Sequence, residues 1–217
     1  MNRTARFEYI PNTLMQALDD VPSYEVKGKV LQVVGTIVRA SVPGVKVGEI
    51  CILRNSWEDL EILAEVVGFG LNTDGRHVTQ PNAETMARAL ALALEDAALP
   101  PSAIGYVNAH GTATTLGDIA EGTATQSVFG AGRVPVSTIK NYTGHTLGAC
   151  GAIEAILTVE MLRNGWFAPN LNLVEPDARC GDNDFIQGEG CARETEYAMS
   201  NNFAFGGVNT SLVFRRV

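Results

Sequence analysis

Three glycine-rich segments hold the residues of this 217-residue chain whose types suit chemistry done in common. The first is NAHGTAT, residues 108–114, where His110 stands at the end of a short apolar run and Gly111 lets the chain turn away. The second is STIKNYTGHTLGACGA, residues 137–152, with Lys140 and His145 just ahead of a run of small residues. The third is SNNFAFGGVNTS, residues 200–211, where Gly206 and Gly207 permit a tight turn that presents Phe205 and its backbone N–H. Two histidines can donate hydrogen bonds to one thioester oxygen as negative charge develops on it. A glycine-rich turn can add backbone N–H groups as an oxyanion hole, where one lost donor typically costs ~10²–10³ in rate. Lys140 supplies a fixed positive charge, and Glu154, further along the same segment as His145, is its partner. The set suits enolate or carbanion chemistry. Singly, each segment has a plainer account: a structural histidine at a strand end, glycines serving turns, a surface lysine, core phenylalanines.

The elements that would position these residues follow from periodicity. Ala83–Leu99 is alanine-rich with Met86, Leu90 and Leu94 on one stripe, which predicts a helix stopped by Pro100 and Pro101. Ile104–Asn108 predicts a short buried strand that delivers His110. Asp118–Phe129 predicts a helix with Asp118 and Glu121 as favourable acids in its first turn. Val134–Ile139 predicts a strand, and His145–Asn164 a long, nearly uncharged helix. Phe185–Ile186, Tyr197–Asn202 and Thr210–Phe214 complete the strands. Such alternation predicts a layered α/β domain. Upstream the rhythm differs. Residues 24–67 are rich in β-branched residues punctuated by Pro43, Gly44 and Gly48, with strands expected over 49–53 and 60–67, which predicts a small antiparallel barrel. Lysine use changes too: after Lys46 only Lys140 remains.

A net charge of −8 argues against sequence-independent nucleic-acid binding. No run approaches the ~18 apolar residues of a membrane span, so a cytoplasmic protein is expected. The four cysteines, Cys51, Cys150, Cys180 and Cys191, lack CxxC spacing, which gives no metal signal.

In this order, NAHGT, then K-x₄-GHTLGACGA, then NNFAFGG resemble the C-terminal half of condensing enzymes of the β-ketoacyl-acyl carrier protein synthase family, over about residues 65–217. The segments around them (TDG-x-HVTQP, GWFAPNLNL, MSNNFAFGG) look closest to synthases of bacterial polyene-type pathways. The resemblance implies half of a thiolase-like fold, a mixed sheet covered by helices, and decarboxylative Claisen condensation in fatty acid or polyketide synthesis. It implies that His110 and His145 bind the thioester carbonyl and promote malonyl decarboxylation, and that Lys140 with Glu154 organises the charge. Thr112 and Thr114 would contact the phosphopantetheine arm, and Phe205, on the Gly206-Gly207 turn, would gate the acyl site and donate an oxyanion-hole N–H. No cofactor of its own is implied, since phosphopantetheine arrives on the acyl carrier protein, the expected partner beside a homodimer mate or a complementing synthase half. The family takes its nucleophilic cysteine from the N-terminal half, for which this chain has no matching segment. Cys150 lies where the family usually has alanine and is read as packing.

Residues 24–69 resemble instead the N-terminal β-barrel of type III secretion or flagellar ATPases, without any GxxxxGK[ST] phosphate loop downstream. Residues 64–69, AEVVGF, suit either family. The expected organisation is therefore a barrel-like segment over 1–68 joined to a synthase half over 69–217. The alternative function is a non-catalytic chimera whose barrel serves oligomerisation.

Overall fold

The valine-rich run near the N-terminus pairs with itself. Strands β1 (Lys29–Val34) and β2 (Ile37–Ser41) are antiparallel, with Lys29 opposite Ser41 and Val34 opposite Ile37. The computed structural model describes these residues and residues 63–217, in a chain that divides into two units, Met1–Trp57 and Glu58–Val217. The hairpin is what is described of the first unit. The remaining strands of the expected barrel lie outside the described residues, apart from the one expected over 60–67. That one is found as β3 (Ala64–Thr73), and it belongs to the large sheet of the second unit, where it pairs antiparallel with β10 (Val208–Arg216). The segment AEVVGF that suits both families is thus part of this sheet.

The second unit is built on a six-stranded mixed sheet ordered β3-β10-β9-β4-β5-β7, with β4 (Ile104–Asn108), β5 (Pro135–Ser137), β7 (Asp184–Phe185) and β9 (Tyr197–Ala204) completing it. The first three neighbours pair antiparallel and the rest parallel. Residues on β4, β9 and β10 alternate between two cores, as the two-residue period of a strand requires. Val107, Met199 and Val213 face one core. Tyr106, Ala198 and Phe214 face the other.

Helix α1 (Ala83–Asp96) closes the first face. Alanine loses no side-chain entropy in a helix, and Asn82 caps it by accepting the Thr85 N–H at 3.1 Å. It buries the expected Met86, Leu90 and Leu94 together with Ala89 and Ala93. It ends before the expected Leu99, because Ala98 takes φ 52°. Strand β3 runs so close beneath it that a Cβ at Gly70 would stand 2.0 Å from the Ala89 carbonyl oxygen. Helix α2 (Thr115–Phe129) lies on the same face, beside α1.

The other face is covered differently from expectation. The single helix expected over His145–Asn164 is broken into α3 (Lys140–Thr143), a 3₁₀ turn at Leu147–Ala149, and α4 (Cys150–Asn164). Gly144 at φ 70° and Leu147 at φ 52° both leave the right-handed region, so His145 falls in the break. Helix α4 packs Met161 and Leu162 against Tyr106, Ala198 and Phe214. The short strands β6 (Trp166–Phe167) and β8 (Cys191–Ala192) pair beyond its end. Phe167 from β6 stacks on Tyr106 at a centroid distance of 4.2 Å. Among the described residues no helix is long and apolar enough to cross a membrane.

Candidate active site

Strand β4 carries Asn108 to the carboxyl edge of the sheet, and the chain then turns at Gly111, φ +40°. A Cβ at Gly111 would meet Thr138 Cβ at 2.8 Å, so the turn admits no side chain. The turn is held from behind by Glu121 on α2. One carboxylate oxygen accepts the His110 N–H at 2.7 Å and the other accepts the Gly111 N–H at 2.8 Å. Burial lifts the Glu121 carboxyl to about 7, and the two backbone N–H bonds oppose that rise. The expected role of Glu121 as a first-turn acid is corrected here. Helix α2 starts at Thr115, so Glu121 lies beyond its first turn and on its buried stripe with Ala120 and Ala124. An acidic residue within a stripe of small apolar residues was the signal for it in the sequence.

His110 and His145 meet. Their ring centroids are 5.5 Å apart and the planes are nearly perpendicular, at 88°. Phe203 of β9 closes on His110 from another side, at 6.1 Å. Burial first, then the charge of Lys140 and the neighbouring His145, push His110 down to about 3, against the nearby Asn202 side chain, which favours the protonated ring. His110 is therefore a neutral imidazole at physiological pH. His145 accepts the Leu147 N–H on Nδ1 at 3.2 Å, so as a neutral ring it carries its proton on Nε2.

Lys140 and Glu154 form a buried ion pair, Nζ to Oε1 at 2.5 Å, with side chains 5% and 1% exposed. The remaining Glu154 oxygen accepts from Asn202 Nδ2 at 3.2 Å. Burial raises the Glu154 carboxyl, and the hydrogen bond and charge of Lys140 pull it back.

A cleft of about 1000 Å³ opens over the two histidines and is lined by His110, Thr112, Thr114, His145 and Phe205 among others. The Thr112 and Thr114 hydroxyls are 3.1 Å apart. Phe205 is 75% exposed at the turn, where Gly206 and Gly207 take φ 77° and 73°. The Gly206 N–H is spent on the Val78 carbonyl at 3.0 Å, and the Gly207 carbonyl accepts the Asp74 N–H at 3.1 Å, which clips the turn to the segment after β3. Lys140 lines a second cavity, of about 560 Å³, which shares Thr112, Glu121 and His145 with the first. His110, His145, Thr112, Thr114, Lys140 and Phe205 thus gather around one region, with Glu154 tied to it through Lys140; Cys51 lies outside the described residues. Asn202 is one that sequence reasoning did not pick, and Glu121 it picked only as a first-turn acid.

Cys150 stands at the start of α4, buried, and burial raises its thiol above the ordinary value. Cys180 and Cys191 are free, half-buried thiols.

Known proteins share the sequence and fold of the second unit. Residues 63–174 match the family model described as the β-ketoacyl synthase, C-terminal domain. A crystal structure of a β-ketoacyl synthase from Burkholderia phymatum is 61% identical, with a TM-score of 0.71 over 72% of this chain and 38% of that one. A ketosynthase solved with its chain length factor, from Xenorhabdus doucetiae, is 33% identical, with a TM-score of 0.67 over 73% of this chain and 40% of that one. The 3-oxoacyl-(acyl-carrier-protein) synthase 2 of Coxiella burnetii is 41% identical over 160 residues, 72% of this chain and 38% of the relative. The chain therefore spans less than half the length of these relatives. The mixed sheet between helical layers is the thiolase-like arrangement of such ketosynthases, and the chain belongs to the β-ketoacyl synthase family through its C-terminal domain.

Proposed function

We propose that this chain supplies the histidine half of a decarboxylative condensation site acting on malonyl thioester carried by an acyl carrier protein. The observation that carries the reading is the perpendicular His110–His145 pair at the cleft, 5.5 Å between centroids, backed by the buried Lys140–Glu154 pair. The malonyl carboxylate leaves as CO₂, and the bonding electrons pass into an enolate whose oxygen takes hydrogen bonds from the two imidazoles. A neutral His110 suits this step, because it can donate to the forming oxyanion without attracting the substrate carboxylate beforehand. The enolate carbon then attacks an acyl thioester, forming the new C–C bond as the acyl C–S bond breaks and the sulfur leaves as the free thiol. The cysteine that would hold that acyl group is expected from a complementing half, since Cys150 is buried and its thiol is disfavoured from ionising. In this reading the Thr112 and Thr114 hydroxyls receive the amides of the pantetheine arm and Phe205 acts as a gate, which their positions on the cleft wall support.

The carrier protein is supported as a partner by the name of the Coxiella burnetii relative, and a ketosynthase-type mate by the structure from Xenorhabdus doucetiae. The polyene-type pathway rests on the sequence segments named above. For the chimera with a secretion-ATPase barrel, no observation among the described residues speaks in favour.

The test mixes the full chain with malonyl-acyl carrier protein, with and without an N-terminal synthase half, and follows CO₂ release and intact mass. Decarboxylation that is lost in His110→Ala and in His145→Ala, with no acyl adduct on this chain, is expected. An acyl adduct on any cysteine of this chain, or decarboxylation indifferent to both histidines, overturns the reading.

A further inference from the structure

Two side chains outside the mechanism above extend the buried ion pair, Asn202 directly and Cys150 through Asn202. Asn202 of β9 donates from Nδ2 to Glu154 Oε2 at 3.2 Å, and its Oδ1 accepts from Cys150 Sγ at 3.1 Å. We propose that Asn202 is a positioning residue for Glu154 and Lys140, and that Cys150 is kept as a neutral thiol whose S–H, by donating to the amide oxygen, holds Asn202 in the orientation that Glu154 demands.

The direction of each bond follows from what its partners can do. A carboxylate only accepts, so the amide end facing Glu154 must be the NH₂. Oδ1 then faces Cys150, and a protonated thiol fills that place while a thiolate would set lone pairs against lone pairs. Cys150 donates to Asn202, Asn202 donates to Glu154, and Lys140 donates to the other Glu154 oxygen at 2.5 Å. Both Glu154 oxygens are partnered, and a buried chain of this kind has one low-energy arrangement. The charged and titratable groups around it are Lys140, Glu154, His110 and His145. Glu154 raises the thiol by its charge, as burial does, while Lys140 acts the other way. With Glu154 held by two donors the Lys140 ammonium stays in place, and that ammonium is one of the causes holding His110 neutral. Cys150 is thus more than filler in α4. The consequence for catalysis rests on the condensing-enzyme reading, whereas the relay itself does not.

Two readouts on the full chain need no turnover. In the first, iodoacetamide labelling is followed by peptide mass, with Cys180 and Cys191 as internal references. Asn202→Leu keeps the branching at Cγ, with a bulkier side chain, and removes the acceptor together with the donor to Glu154, so labelling at Cys150 is expected to rise about fivefold or more while the references hold. A smaller rise overturns the relay. In the second, the Asn202 side-chain NH₂ resonances are compared in ¹⁵N-labelled Cys150→Ser and Cys150→Ala. Serine keeps a donor and is expected to preserve them, and alanine to move them. Packing alone would displace them in both, and that result, or an unmoved alanine variant, overturns the proposal. Where malonyl decarboxylation is measurable, Asn202→Leu lowers kcat and leaves KM. Its absence in the wild type overturns the condensing-enzyme reading and leaves the relay to the first two readouts.

Discussion

At the scale of single residues, the Lys140–Glu154 pair and Glu121 carry opposite lessons about burial. The pair is almost fully enclosed, with side chains 5% and 1% exposed, so removing one partner strands a charge. Glu154→Gln is expected to lower stability by about 3–5 kcal/mol. The double variant Lys140→Met, Glu154→Leu removes both charges and is expected to lose less than the single variants Lys140→Met and Glu154→Leu together, which denaturant titration of these three and the wild type measures as a coupling energy. Glu121 has no cation of its own, only two backbone N–H donors. Its folded value of about 7 lies above the ordinary 4.5. Between these the folded chain holds a proton that the unfolded chain has released. The stability this group contributes is full below the ordinary value and is lost as pH rises through about 7. Glu121→Gln stays neutral throughout. Thermal melts of the variant against the wild type are therefore expected to shift in favour of the variant from about pH 5 to about pH 8, and a constant difference would contradict the buried-carboxyl account.

At the scale of elements, close approach decides what can be substituted. Gly70 on β3 and Gly75 just after it are both glycines, yet a Cβ at Gly70 would press on the Ala89 carbonyl at 2.0 Å, while a Cβ at Gly75 would meet nothing within 4 Å. Gly70→Ala must push β3 off α1 and is expected to cost about 2–3 kcal/mol or more. Gly75→Ala pays only for φ +61°, about 1 kcal/mol, and urea unfolding of the pair gives the ranking. Periodicity made α1 legible because it is an uninterrupted run with a cap, and β4 and β9 because they are apolar runs with clear ends. It failed at His145, where a small-residue run looked like continuous helix. Sequence periodicity does not register Leu147 at φ 52°, a conformation imposed by the surrounding fold. The histidines, Lys140 and Glu154 were legible as types near glycine. Asn202 was not, because its partners Cys150 and Glu154 lie on another element and tertiary hydrogen bonds leave no spacing pattern.

At the scale of the molecule, the sheet is covered unevenly, and that has a measurable consequence. Residues 68, 70 and 72 of β3 face α1, which turns Phe69 and Leu71 to the other side, opposite Leu212 and Thr210 of β10. Helix α4 covers that side over β9 and β10, but Phe69 and Leu71 are 49% and 50% exposed, with Val66 at 61%. On an edge strand such a patch invites association. The relatives are more than twice as long as the part this chain matches, consistent with a face that a companion segment would cover. The full chain is expected to self-associate as concentration rises in sedimentation velocity, and to bind a hydrophobic dye. Phe69→Lys with Leu71→Lys should suppress both. These changes move the net charge from −8 to −6, since each lysine adds one positive charge. That weakens like-charge repulsion between copies and by itself would favour association. Loss of association in the double variant would therefore be due to the patch. Val174→Lys, at a position 91% exposed and remote from β3 in the sequence, is the control and should leave both measurements unchanged. An equal effect from Val174→Lys would assign the association to general surface charge and remove the case for a covered face.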